Sequence, residues 1–201
     1  AEVACQNLSE SPLYADVRLK FLDTEACCQG KLLPPGKSII TFEELEIADA
    51  CPWSMEDPVL YPVSAALLQN GAVVDDMIER TGLRLVRVEG TSVLLNNKPL
   101  RIKGFCRHED HPQYGCALPA EAIAYDLQLI KDLGANSVRT SHYPNDELFL
   151  DMCDELGILV WEENHARGIN GDRMKSPYFE EQCEQVIREM ITAHYNHPSI
   201  Y

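Results

Sequence analysis

Apolar and polar residues alternate along the first 90 residues, and no helical period longer than a turn interrupts them. Val17, Leu19 and Phe21 are separated by Arg18 and Lys20, which predicts a strand with one buried face. Lys31 to Lys37, holding two prolines and a glycine, reads as a connection, and Leu83 and Leu85 resume the alternation after Thr81-Gly82. Asn70-Gly71 lies between Ala65-Ala66-Leu67-Leu68 and Val73-Val74; this dipeptide tolerates the positive φ angles of a tight hairpin. Residues 1–90 therefore predict an antiparallel β-sandwich of immunoglobulin-like size.

The period changes after Gly90. Val93-Leu94-Leu95, the turn Asn96-Asn97, then Leu100 and Ile102 predict one more hairpin leading into Gly104-Phe105. Pro119 suits a first helical turn, Ile123, Leu127 and Ile130 recur at helical spacing, and Gly134 marks the helix end. A strand over Ser137 to Thr140 follows. Asn145 is expected to cap a helix carrying the stripe Leu148, Phe149, Met152, Cys153 and Leu156, stopped by Gly157, with Ile158 to Trp161 as a buried strand. Ser176-Pro177 predicts a third helix that buries Cys183, Val186, Ile187, Met190 and Ile191; His197-Pro198 closes it and Ile200-Tyr201 begin a fourth strand. Strands alternating with helices imply a parallel sheet with helical crossovers. A closed eight-fold barrel needs about 250 residues, so residues 91–201 supply its first three or four units, or else a small open α/β sheet.

Composition narrows the partners. Seventeen basic against 32 acidic residues give a formal charge of −15, which repels phosphate backbones and anionic membrane surfaces, so neither nucleic acid nor membrane is expected as a partner. No apolar run approaches the roughly 20 residues of a membrane span, and Ala1 to Gln6 lack the blocks of a signal peptide. The eight cysteines are scattered without any Cys-x-x-Cys, which predicts reduced, buried thiols and a cytoplasmic location.

Three polar clusters follow the three predicted parallel strands: His108-Glu109-Asp110-His111, Ser141-His142-Tyr143-Pro144 and Glu162-Glu163-Asn164-His165. In a parallel barrel these positions share one rim, where ligand-binding side chains gather. Glu162 and Glu163 are adjacent, so only one of them faces the rim, and they cannot form an acid and nucleophile pair about 5 to 5.5 Å apart across a sugar. The histidines have no His-x-His or His-Glu-x-x-His spacing, so no metal is expected. Neither a Gly-x-Ser-x-Gly elbow nor a glycine-rich phosphate loop occurs.

Leu95-Asn96-Asn97-Lys98-Pro99, Arg107-His108-Glu109-Asp110, Gly134 to Pro144, Cys153 to Gly157 and His197-Pro198-Ser199, in this order, resemble glycoside hydrolase family 2, the family of β-galactosidases and β-glucuronidases. In the first part, Pro52-Trp53, Pro58 to Tyr61 and Thr81-Gly82-Leu83-Arg84 resemble its immunoglobulin-like domain, where phenylalanine is more usual than Leu83. The resemblance implies an immunoglobulin-like β-sandwich followed by the N-terminal portion of a (β/α)8 TIM barrel, and a parent that is a retaining exo-β-glycosidase acting on β-galactosides or β-glucuronides. It implies that His108 and His142 bind sugar hydroxyls, that Arg139 holds the nucleophilic carboxylate, and that Glu163 is the glutamate of an Asp-Glu pair in which Glu162 replaces the aspartate. Both catalytic glutamates would lie past Tyr201, so no catalytic residue is expected within this chain and the chain alone is expected to be inactive. The family's Mg²⁺ ligands have no counterpart in His165-Ala166-Arg167-Gly168, so no cofactor is expected. Arg107 to Asp110 look closer to β-glucuronidases and His111 to Gly115 closer to β-galactosidases, leaving the sugar open. A non-catalytic carbohydrate-binding or interdomain module and a metal-dependent hydrolase built on His108, His142 and Glu163 are the competing readings. Unpaired strand edges in a partial barrel predict self-association, with a homo-oligomer as the expected state.

Overall fold

The computed structural model describes residues 1–168 and 170–201. Contacts divide the chain into two compact units, residues 1–50 with 61–81, and residues 51–60 with 82–201.

In the first unit, β1 (Glu2–Asn7) pairs with β4 (Gly36–Thr41), while β2 (Leu13–Phe21), β3 (Thr24–Leu33), β5 (Tyr61–Gln69) and β6 (Ala72–Thr81) form a second antiparallel sheet in the order β3-β2-β5-β6. The alternation read in the sequence sends Ala15, Val17, Leu19 and Phe21 inward from β2. Val17 and Leu19 join Leu33, Ile40, Phe42 and Ala65, so both sheets contribute to one core. Asn70 and Gly71 take φ angles of 51° and 78° in the β5–β6 hairpin, as their dipeptide predicts.

Two expectations for this stretch change. Lys31 to Leu33 belong to β3 and not to a connection, because a bulge opposite Asp16 lets pairing resume at Ala15–Lys31; Gly30 donates its N–H to Asp16 Oδ1 at 2.7 Å there. Gly82 to Leu85 form no strand. Leu83 spends its carbonyl on the N–H of Trp53 at 2.8 Å.

The second unit opens with the meander β7 (Val86–Glu89), β8 (Ser92–Leu95) and β9 (Lys98–Pro99), turned at Asn96 and Asn97 with φ of 50° and 66°. A parallel sheet follows, β10 (Gly104–Arg107), β11 (Ser137–Thr140) and β12 (Leu159–Trp161), in that order. Helices α1 (Ala120–Asp132) and α2 (Glu147–Leu156) connect its strands, and α3 (Gly171–Met174) and α4 (Phe179–His194) come after it. Ile123, Leu127 and Ile130 of α1 and Phe149, Leu150 and Cys153 of α2 pack with Val138, Ile158 and Val160, one apolar face per helix closing on the sheet. Ile200 bridges in parallel to Val160, where the sequence expects a fourth strand to start.

Trp53, which the sequence groups with the first β region, is fully buried in the second unit with Leu95 and Leu159. Its indole donates to the carbonyl of Asp154 at 2.8 Å, a partner that sequence distance hides. Asp154 also accepts from His197 Nδ1 at 2.6 Å and from the N–H of Ser199 at 2.9 Å. Arg84 donates to the carbonyls of Pro198 and Ile200, both at 2.6 Å, and its burial lowers its pKa.

For His197, burial is the largest influence and lowers the pKa, but the hydrogen bond and charge of Asp154, with Asp151 and Glu147 beyond, outweigh it and raise the pKa above the ordinary 6.5. A raised imidazole pKa contributes stability that is complete below the unfolded value and is lost as pH rises through the folded one. Unfolding free energy is therefore expected to decline as the pH rises from the ordinary imidazole value through the raised one, in a component that Asp154→Asn removes. Equal slopes for the two proteins in denaturant titrations would contradict this.

Asp146, not Asn145, caps α2, its side chain accepting from the N–H of Leu148 at 2.9 Å; Asn145 is buried and accepts from Arg107 Nη1 at 3.2 Å. Leu148 turns outward while Leu150 is buried in its place. On α4 no residue is fully buried, and Ile187 and Ile191 are 40% and 53% exposed. Helical spacing predicts an apolar stripe but cannot supply an element to cover it. Of the eight cysteines, none of them in a disulfide, only Cys153 is buried; Cys27, Cys51, Cys106 and Cys116 are exposed, Cys51 and Cys116 because they lie in loops.

Candidate functional site

Strands β10 and β11 run parallel with Arg107 opposite Thr140, so the residues that follow them emerge side by side at one end of the sheet. The rings of His108 and His142 meet edge to face there, with centroids 5.2 Å apart and planes at 79°. The Ser141–His142 peptide bond is cis. The parallel register, which pairs Cys106 with Arg139 across 33 residues of sequence, brings the two strand ends and their imidazoles to the same place.

Glu163 completes the cluster. Its Oε1 lies 2.7 Å from His142 Nδ1, and its Oε2 accepts from Arg139 Nε at 3.0 Å. Arg139 Nη2 is also 3.2 Å from His142 Nδ1. A guanidinium only donates, so a nitrogen facing both groups is best satisfied by carrying its own proton to the shorter contact, the carboxylate. That tautomer leaves Nε2 of His142 for another partner. The backbone N–H of Glu163 donates to Thr140 Oγ1 at 3.3 Å, tying the end of β12 to that of β11.

Alternation separates each functional residue from its neighbour. Arg107, adjacent to His108, turns to the helix side, where it meets Glu109 and Asp126 at 3.1 Å each and lies 4.6 Å over the Phe149 ring. Glu162 likewise turns away from Glu163 to His194 Nδ1 of α4 at 2.7 Å. Thus only Glu163 of the glutamate pair joins the two histidines, as adjacent positions on extended backbone require.

Cys106 lies in this region outside the three predicted clusters, and Tyr143, a member of the second cluster, serves it through its hydroxyl. Cys106 Sγ accepts from Arg139 Nη1 at 3.5 Å, and the Ser141 side chain together with Arg139 lowers its thiol pKa. Its place two residues before His108, on the same face of an extended segment, was the available signal. Tyr143 accepts the N–H of Glu109 on its hydroxyl at 3.1 Å.

The sequence model of glycosyl hydrolases family 2 matches residues 10–84, and that of the family's TIM barrel domain matches residues 86–201. This chain belongs to glycosyl hydrolases family 2. Family 2 relatives include a β-glucuronidase of Bacteroides fragilis, 35% identical over 96% of the chain and 30% of the relative, and the β-galactosidase BgaC of Bifidobacterium adolescentis, 32% identical over 92% of the chain and 18% of the relative. A crystal structure of a family 2 β-galacturonidase from Eisenbergiella tayi bound to galacturonate is 55% identical and superposes with a TM-score of 0.95, covering 100% of this chain and 36% of that one. The chain thus spans between 18% and 36% of the length of these family 2 proteins.

Among the described residues, one group has the spacing of metal ligands, Asp151, Asp154 and His197. Asp154 already accepts two hydrogen bonds, one of them from His197 itself. His108, His111, His142 and His165 form no such group among the described residues.

Proposed function

We propose that this chain forms part of a retaining exo-β-glycosidase that removes a terminal β-linked hexuronic acid, with β-galacturonides preferred over β-glucuronides and β-galactosides. In this reading the first unit is an immunoglobulin-like sandwich and the second is the opening portion of a (β/α)8 barrel, whose strand ends carry the sugar site. The observation that carries it is the cluster of His108, His142, Glu163 and Arg139 at neighbouring parallel strand ends. The Eisenbergiella tayi likeness over the whole chain favours the uronide.

His142 presents Nε2 to a sugar hydroxyl while Nδ1 is held by Glu163, and His108 borders the same ring from the adjacent strand. Arg139 holds Glu163 and brings positive charge to the place where a nucleophilic carboxylate would be oriented. Glu162 turns away to His194 while Glu163 is held in the cluster by Arg139 and His142, and adjacent residues cannot flank one glycosidic bond, so in this reading the acid/base and nucleophile of the double displacement come from later strands of the parent protein. No resident metal enters this chemistry.

The complete gene product is expected to release nitrophenol from nitrophenyl β-galacturonide faster than from the β-glucuronide or β-galactoside, with the first-formed sugar keeping its anomeric configuration. The 201-residue chain alone is expected to release none. Absence of turnover by the complete protein on all three substrates would refute the proposal, and inversion of configuration would refute its mechanism.

A further inference from the structure

Beyond the imidazole pair, the segment after β10 folds into a closed hairpin that no step above uses. His111 and Gly115 exchange two backbone hydrogen bonds, His111 N–H to the Gly115 carbonyl at 3.0 Å and the reverse at 2.8 Å. Gly115 adopts φ of 63°, which closes the turn. Inside it the rings of His111 and Tyr114 stack, with centroids 4.8 Å apart and planes at 25°, and the Gln113 N–H donates to His111 Nδ1 at 3.2 Å. One face of the phenol is therefore backed by a fixed imidazole, yet Tyr114 stays 48% exposed.

The hairpin is rooted at the site. It begins three residues after His108, which touches His142, and Glu109 between them is held on both sides. The Glu109 backbone N–H donates to the Tyr143 hydroxyl at 3.1 Å, and its carboxylate takes Arg107 Nη1 at 3.1 Å and the Asp146 N–H at 3.3 Å. A rigid aromatic surface six residues along the chain from His108 suits a ligand group that is flat and apolar on one side, because burying it there costs little ordering.

We propose that Tyr114, backed by His111, is the platform for the group attached to the sugar, stacking on an aromatic aglycone or on the apolar C–H face of a second pyranose. The platform rests on the glycosidase reading for its position, but its contribution is to affinity and selectivity and not to bond cleavage. The sugar at the histidine cluster sets the anomeric carbon, and what hangs from that carbon meets Tyr114.

The test measures binding without turnover, using phenyl and methyl thio-β-galacturonides and the complete protein in a calorimeter. The wild-type protein is expected to bind the phenyl compound about tenfold more tightly than the methyl one. Tyr114→Ala should bring that ratio close to one with little change for the methyl compound, and Tyr114→Phe should retain it, since stacking needs the ring and not the hydroxyl. An unchanged ratio in Tyr114→Ala, no preference in the wild-type protein, or binding of neither compound would overturn the platform. The glycosidase reading fails separately, in a wild-type protein that shows the aryl preference yet hydrolyses no nitrophenyl glycoside.

Discussion

Glu163→Gln in the complete protein is expected to lower kcat/KM for a nitrophenyl β-galacturonide about a hundredfold, the scale of losing one organised charge in a site. Its carboxylate receives both His142 Nδ1 at 2.7 Å and Arg139 Nε at 3.0 Å, so a neutral amide removes charge from two contacts at once. The amide oxygen can still accept one of those protons, but its NH2 group then faces a second donor. Arg139 would lose the anion that fixes it, and His142 the partner that selects its tautomer. Glu163→Asp should fall between the two, because the shorter side chain keeps the charge and gives up one of its two contacts. Little stability should be lost, since the Arg139 and Glu163 side chains are 42% and 22% exposed and a pair so hydrated contributes modestly. A variant within twofold of the wild-type protein, at unchanged unfolding midpoint, would remove Glu163 from the site.

That this cluster can be anticipated from sequence has a physical basis. Strand ends in a parallel sheet share one rim, so the predicted strand Ser137 to Thr140 places His142 as soon as the pattern before His108 is read as its neighbour. The alternation of extended backbone separates Glu162 from Glu163 and Arg107 from His108 in the same way. Partners were less legible. His194 for Glu162, Asn145 for Arg107 and the Asp154 carbonyl for Trp53 depend on which loops and helices come back to a strand, and no local period encodes that. The exposed α4 stripe shows the complementary limit: apolar spacing is local, whereas burial belongs to whatever packs against it. The segment 51–60 illustrates both, since its turn-rich sequence looks like part of the neighbouring strands while Trp53 commits it to the second unit.

Gly157→Ala is expected to cost about 3 to 5 kcal/mol of unfolding free energy, the range of the most damaging single substitutions. Gly157 ends α2 in the left-handed conformation, φ 67° and ψ 38°, with its N–H on the Cys153 carbonyl. An alanine there loses about 1 kcal/mol to the conformation alone. The larger share comes from contact, because a Cβ would collide with the carbonyl oxygen of Met55 and stand 2.9 Å from its carbon. Met55 cannot easily retreat: two residues before it, Trp53 is fully buried, gives its N–H to Leu83 and receives Asn96 Nδ2 on its carbonyl at 3.0 Å. Gly134→Ala supplies the control, since Gly134 ends α1 at φ 74° but a Cβ there meets nothing within 4 Å. Only the conformational cost, about 1 kcal/mol, should appear in that variant. Denaturant midpoints for the two should therefore separate widely; if they coincide, the close approach of Met55 to the helix end is not what requires glycine at 157.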